Sequence, residues 1–330
     1  MKRRQALRLA IGSGAWCALG AAAPVTPPLR WQRREQVGFG TTLSLQAGHV
    51  DEAALTSALD AAVAALQCIE GQMSLFRDDS ALSRLNRDGR LDAAPAELLE
   101  VLRIAAAVSR ASGGAFDATV QPLWLAFANA QRAGRLPTPA EVAAARSLVD
   151  WRALTLDAAG GVRLARPGMG VTLNGIAQGY AADRVRAVLE RHGVRDALVD
   201  AGEFAMVGRN PAGDRWTLGI ADPLVGGRFL ARLFADGRCV ATSGDDQTAF
   251  SADHRHHHIF DPHTGWSPAD MAGVTVAAPS GALADALTKV LFVGGPAQAA
   301  ALARQWRVDA LWVDKKGRWQ ATPGLALGSA

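Results

Sequence analysis

Five stretches of this chain carry residue types and spacings that could do chemistry. The first is Thr242-Ser243-Gly244-Asp245, followed by His256-His257-His258-Ile259-Phe260-Asp261-Pro262-His263-Thr264-Gly265. A histidine three residues before an aspartate, beside a Pro/Gly turn, can supply a base and its orienting carboxylate, here His258 and Asp261. The run of histidines also permits a zinc reading. Alternate side chains of a strand share a face, so only His256 and His258 could bind one ion.

The second stretch is Leu173-Asn174-Gly175-Ile176-Ala177-Gln178-Gly179-Tyr180-Ala181-Ala182-Asp183. It reads as a strand-to-helix junction, where small residues leave helical N–H groups open to phosphate oxygens. Tight packing of a helix on a sheet would favour the same glycines. The third, Ala284-Asp285-Ala286-Leu287-Thr288-Lys289, puts a carboxylate on an apolar helix. Buried there, it needs a polar partner, a hydrogen-bond network or a metal. Lys289, four residues on, could pair with Asp285 directly.

The fourth stretch, Gly113-Gly114-Ala115-Phe116-Asp117-Ala118-Thr119-Val120, joins glycines that admit a ligand to a flat ring and an acceptor. It reads equally as a helix C-cap followed by core residues. The fifth, Met73 to Ser80, sets Phe76 among short polar residues after a long helix, where a capping turn is the plain structural reading.

The elements that must position these groups alternate irregularly. Val37 to Leu45 reads as a first strand, and Asp51 can cap a helix carrying Leu55, Leu59, Val63, Leu66 and Ile69 at helical spacing. Helices are also expected over 96–112, 141–148, 176–192 and 282–293. Short strands are expected within 155–173 and over 197–199, 216–221, 228–234, 274–278 and 310–313. Without a regular βαβ repeat, this predicts an α+β fold with antiparallel pairing.

The chain has 330 residues with 35 Lys and Arg against 31 Asp and Glu. Four of the basic residues, Lys2, Arg3, Arg4 and Arg8, fall in the first 23 positions, which leaves 31 of each sign beyond them. That balance carries no basic footprint for nucleic acid. The basic start, an apolar stretch from Leu9 to Ala22 and Ala21-Ala22-Ala23 read as a signal peptide over 1–23, twin-arginine-like at Arg3-Arg4. The stretch is short and glycine-rich for a membrane span, so no stable membrane anchor is expected. Residues 24–36, with Pro24, Pro27 and Pro28, read as a linker, and 37–325 as one domain. Beyond the leader only Cys68 and Cys239 remain, without metal-ligand spacing, and Cys68 is expected to be buried on its helix.

In this order, from about Phe39 to Leu311, these stretches resemble the ApbE family of FAD:protein FMN transferases. The most specific parts are Ser243-Gly244 with His258 to Gly265, and Gly175 to Asp183. The leader and the wording Leu173 to Gly179 are similar to a NosX-like branch serving nitrous-oxide respiration. The resemblance implies an ApbE-like fold with FAD in a central cleft, mixed or antiparallel sheets and a requirement for Mg²⁺. FMN would pass to a Thr or Ser of a periplasmic or membrane redox subunit, for example a NosR-like protein, with release of AMP. Carried over residue by residue, it implies Phe39, Phe76, Ala115, Phe116, Asp117, Thr172, Gln178, Ser243, Gly244 and Ile259 around FAD, and Gly175, Asp285 and Thr288 on the metal. Two positions depart from the pattern: Thr172 stands where the family usually has Asp, and Lys289 where it usually has Thr, so that either Thr288 takes over the ligand role or the Lys289 ammonium stands near the pyrophosphate and partly replaces the metal. The rival expectations are a periplasmic protein that binds FAD without cleaving it, and a zinc hydrolase.

Overall fold

The computed structural model describes residues 27–329, so the expected leader lies outside the described residues. The chain opens with a hairpin of β1 (Arg30–Gly38) and β2 (Thr41–His49), whose register closes Gly38 against Thr41. Phe39 and Gly40 both have positive φ, 52° and 78°, as a two-residue hairpin turn requires. The linker expected over 24–36 is therefore strand from Arg30, and the strand expected over 37–45 contains the turn. β1 is polar because it is an edge strand, so it lacks the apolar alternation of a core strand.

Helix α1 (Glu52–Met73) starts where Asp51 accepts from the N–H groups of Ala53 and Ala54, at 2.8 and 3.1 Å. It is long and apolar enough to cross a membrane, but Leu55, Ala58, Leu59, Ala62, Leu66, Ile69 and Met73 form a buried stripe in the core. Cys68 lies off that stripe and is exposed, contrary to the expectation of a buried thiol. Next come α2 (Ala81–Asp88), β3 (Arg90–Leu91), α3 (Ala96–Ala111), α4 (Gln121–Arg132) and α5 (Pro139–Arg146). Two short strands, β4 (Leu154–Leu156) and β5 (Val162–Leu164), join β3 in a small sheet.

The second half supplies α6 (Ala177–Arg191), β6 (Asp196–Asp200), β7 (Phe204–Val207), β8 (Thr217–Ala221), β9 (Phe229–Phe234), β10 (Cys239–Gly244) and β11 (Met271–Ala278). Helices α7 (Gly281–Gly294) and α8 (Pro296–Trp306) follow, then β12 (Asp309–Asp314), β13 (Trp319–Ala321) and β14 (Leu327–Gly328). The main sheet has the order β1-β2-β6-β7-β10-β11-β12-β13, and every neighbouring pair is antiparallel. The fold is α+β. β14 pairs with β9, so the domain runs past residue 325 at one end and begins at β1 at the other.

One continuous core joins β2, β6, β10 and β11 to α1, α3, α6 and α7. A second cluster, around Trp216, Ile220, Leu233, Leu311 and Val313, joins the main sheet to β8 and β9. Helices α6 and α7 cross backbone to backbone. A Cβ on Gly179 would lie 2.5 Å from the Gly281 carbonyl carbon and 2.8 Å from Asp285 Cβ, so neither helix tolerates a side chain at the crossing. The crossing is tied by Asp183, which accepts from Ser280 Oγ at 2.8 Å and from the N–H groups of Gly281 and Ala282 at 2.7 and 3.0 Å. This brings the start of α6 and the middle of α7 to one place beside β10.

Candidate active site

A cleft of about 380 Å³ opens between α6, α7, the end of β10 and the 113–125 segment. It collects residues far apart in sequence, as the antiparallel sheet and the α6–α7 crossing dictate. Phe76, Ala115, Phe116, Asp117, Thr172, Gly175, Gln178, Ser243, His258 and Ile259 all line it. Phe39, Gly244, Asp261, Asp285 and Thr288 do not. Phe39 sits in the β1–β2 turn, its N–H donating to Glu70 Oε1 at 3.0 Å and its ring packed on the core. The next residue, Gly40, lies directly under the Phe76 ring, which is 68% exposed at the cleft mouth. Gly244 lines a smaller adjoining cavity instead, with Asp246 and Gly273.

The histidine run points in three directions. The His256 ring packs beside Phe127 and Trp266, with centroids at 6.1 and 5.4 Å. His257 is fully buried against Phe292 and its Nε2 lies 3.2 Å from the Pro268 carbonyl. His258 alone lines the cleft. Among the described residues no group of three His, Cys, Asp or Glu side chains is placed to hold a metal ion.

His258 Nδ1 lies 3.3 Å from the Thr248 carbonyl, which can only accept, so Nδ1 carries the proton and Nε2 keeps its lone pair. Burial, followed by the positive charge of Lys289, pushes the imidazole down to about 4, so it is neutral at pH 7. Asp261 does not orient it, which corrects the expectation. Its Oδ1 accepts from the His263 N–H at 2.9 Å and lies 3.0 Å from His263 Nδ1, bracing the Pro262–Gly265 turn. A three-residue offset on irregular backbone sends the two side chains apart, and the Thr248 carbonyl takes the orienting role.

Asp117 lines the cleft but is largely satisfied within the protein. Oδ1 accepts from Thr119 N–H and Oγ1 at 2.7 and 2.6 Å, and Oδ2 accepts from Trp151 N–H at 3.0 Å. Burial pushes its pKa up, and hydrogen bonds only partly oppose this. At the floor, Lys289 donates to Asp285 Oδ1, while Asp285 Oδ2 accepts from the Gly179 N–H at 3.3 Å. Thr288 is fully buried; Oγ1 donates to the Asp285 carbonyl at 2.6 Å and pairs with Ser243 Oγ at 2.7 Å. Ile176 gives α6 no side-chain cap, so its first turn opens toward the cleft around Gly175 and Gln178.

Sequence reasoning missed Glu203. It lines the cleft, accepts from the Thr242 N–H at 3.0 Å, and is pushed well up by burial and by Asp285. Its one sequence signal is an acidic residue directly after Ala201-Gly202, between two apolar strands. Gly202 has φ of 91°, and a Cβ there would meet Gln178. Trp124 and Leu125, on an α4 that the sequence reading did not find, add apolar surface to the mouth near Phe76.

An aromatic mouth leads to a floor with an ammonium, the start of α6 and a neutral imidazole, surroundings that suit a nucleotide with a ring system at one end and phosphate at the other. The chain belongs to the ApbE family, whose model matches residues 39–312. It is 32% identical to the FAD:protein FMN transferase of Treponema pallidum, over 94% of this chain and 91% of that one. With the FAD:protein FMN transferase of Vibrio cholerae it shares 32% identity over 84% and 85% of the two chains. Among solved structures, the apo form of the Pseudomonas stutzeri flavinyl transferase ApbE superposes with a TM-score of 0.75 at 29% identity, covering 92% of this chain and 95% of that chain. The ApbE protein of Thermotoga maritima has a TM-score of 0.80 at 24% identity over 89% and 97%, a likeness of fold.

Proposed function

We propose that this protein is a FAD:protein FMN transferase that cleaves FAD and attaches FMN to a Thr or Ser hydroxyl of another protein. The observation that carries the reading is His258, held neutral with a free Nε2 in the same cleft as the Gly175 junction and Lys289. The flavin ring lies toward Phe76 and Trp124, and the diphosphate lies toward Gly175 and Lys289. The acceptor oxygen attacks the FMN phosphorus. Its bond to phosphorus forms as the bond from phosphorus to the AMP oxygen breaks, and AMP leaves with that electron pair. His258 Nε2 takes the hydroxyl proton.

Mg²⁺ is implied by the family resemblance, and bound metal would supply charge neutralisation at the diphosphate. The residues assigned to it do not fit a resident divalent ion as they stand. Asp285 is shared between Lys289 and the Gly179 N–H, and Thr288 Oγ1 is committed to Ser243 and the Asp285 carbonyl.

The acceptor fits an exported or membrane redox subunit, a NosR-like protein included, with the enzyme in the periplasm after twin-arginine export. The support for this is the basic, apolar, Ala-x-Ala pattern of residues 1–23. Incubating the protein with FAD and a candidate acceptor tests the reading by intact-mass analysis and AMP release. One FMN on the acceptor with matching AMP is expected. Tight FAD binding with no AMP would make the protein a flavin carrier.

A further inference from the structure

The cation at the floor of the cleft belongs to the chain. Lys289 lies four residues after Asp285 on α7 and donates to its Oδ1; the Asp285 side chain is 1% exposed and that of Lys289 is 18% exposed. The aliphatic stem of Lys289 runs along Gly175, where a Cβ would come within 3.0 Å of Cε. The side chain thus bridges α7 to the turn that leads into α6, where irregular chain stands in place of the expected strand, and forms part of the cleft wall. Glu203 faces the same place, and its carboxyl feels both Asp285 and Lys289. His258 lines the same cleft within reach of the ammonium's field. An ammonium has three donors, and one is used on Asp285, so two remain for a ligand anion.

We propose that Lys289 takes the place of a divalent cation, its ammonium being the fixed positive charge that binds the substrate diphosphate, and that the protein binds FAD without a resident divalent metal. The proposal rests on the transferase reading for the identity of the ligand. A lysine on a buried carboxylate is already paired and desolvated, so it neutralises charge developing on the leaving phosphate with little reorganisation. Asp285 is a positioning residue in this arrangement, since it holds the ammonium and the Gly179 N–H together.

The test uses the full mature chain in EDTA and in Mg²⁺. Metal content is read by mass spectrometry, Mg²⁺ binding by calorimetry, and FAD affinity by flavin fluorescence. The wild type is expected to carry no stoichiometric metal and to show FAD affinity that differs less than about 2-fold between EDTA and Mg²⁺. Lys289→Thr is expected to weaken FAD binding in EDTA by roughly 10- to 100-fold, the scale of one charge-assisted hydrogen bond, with Mg²⁺ restoring it. Lys289→Arg, which keeps the charge, should retain more affinity in EDTA than Lys289→Thr.

Stoichiometric Mg²⁺ in the wild type, with FAD affinity lost in EDTA, would overturn the proposal. So would a Lys289→Thr variant with unchanged FAD affinity in EDTA. If Lys289→Thr fails to fold because Asp285 is left unpaired, the wild-type metal and affinity measurements still decide. FAD binding that is indifferent to EDTA and dependent on Lys289, with no FMN transfer under any condition, would uphold the cation assignment and remove the transferase reading.

Discussion

Replacing Gly179 by alanine tests the helix crossing that builds the floor of the cleft. The new Cβ would lie 2.5 Å from the Gly281 carbonyl carbon, whereas ordinary contact begins at 3.4 Å, so the helices must part by about 1 Å. A gap of that size forfeits up to about half of each dispersion well along the interface. The expected cost is on the order of 3 kcal/mol, the upper part of the overpacking range. For a chain of this length that lowers Tm by roughly 5–10 °C. The built-in control is Gly71 near the end of α1, where an added Cβ meets nothing within 4 Å. Gly71→Ala should stabilise the protein by about 0.5–1 kcal/mol. Scanning calorimetry of both variants at one pH and one protein concentration reads the two signs, and flavin fluorescence should show weakened FAD binding for Gly179→Ala alone. Equal melting temperatures for Gly179→Ala and the wild type would refute the backbone-to-backbone crossing.

Phe76→Ala removes a ring that is 68% exposed, so Tm should stay within about 1 °C while FAD affinity falls roughly 5- to 10-fold, the scale of one stacking contact. Unchanged affinity would take Phe76 out of the flavin site. His258 should titrate near pH 4 by NMR rather than near its ordinary 6.5. Its folded pKa lies below the unfolded one, so the unfolded chain binds more protons there between about pH 6.5 and 4, and this site's contribution to stability falls as pH drops through that window. Lys289→Met removes a lowering charge and should move that titration upward; a histidine titrating at 6.5 in the wild type would contradict the buried, charge-neighboured geometry.

The helical core was legible because its patterns are strong. Leu55, Leu59, Leu66 and Ile69 recur at helical spacing behind the Asp51 cap, and α1 forms there. The cleft could be read in part because the Gly175–Asp183, Ser243-Gly244 and His258–Gly265 stretches resemble the ApbE family, and Gly175, Gln178, Ser243 and His258 do line it. Arg30 to Gln36 failed as a strand signal because edge position, not burial, sets their polarity. Asp261 misled because sequence proximity to His258 does not fix side-chain direction outside regular elements. Glu203 and Trp124 were invisible as a pair, since only the tertiary fold brings the bend before β7 and α4 to the same cleft. The Lys289–Asp285 pair was legible as an i,i+4 pair on one helix, but its place alongside Gly175 required the α6–α7 crossing.

The most direct measurement compares wild type and His258→Ala by intact mass of a candidate acceptor after incubation with FAD, alongside FAD affinity for each. FMN transfer slowed by roughly 10²–10⁴-fold with FAD affinity little changed is the result that a neutral imidazole acting on the acceptor hydroxyl demands. Equal transfer by both proteins would contradict it.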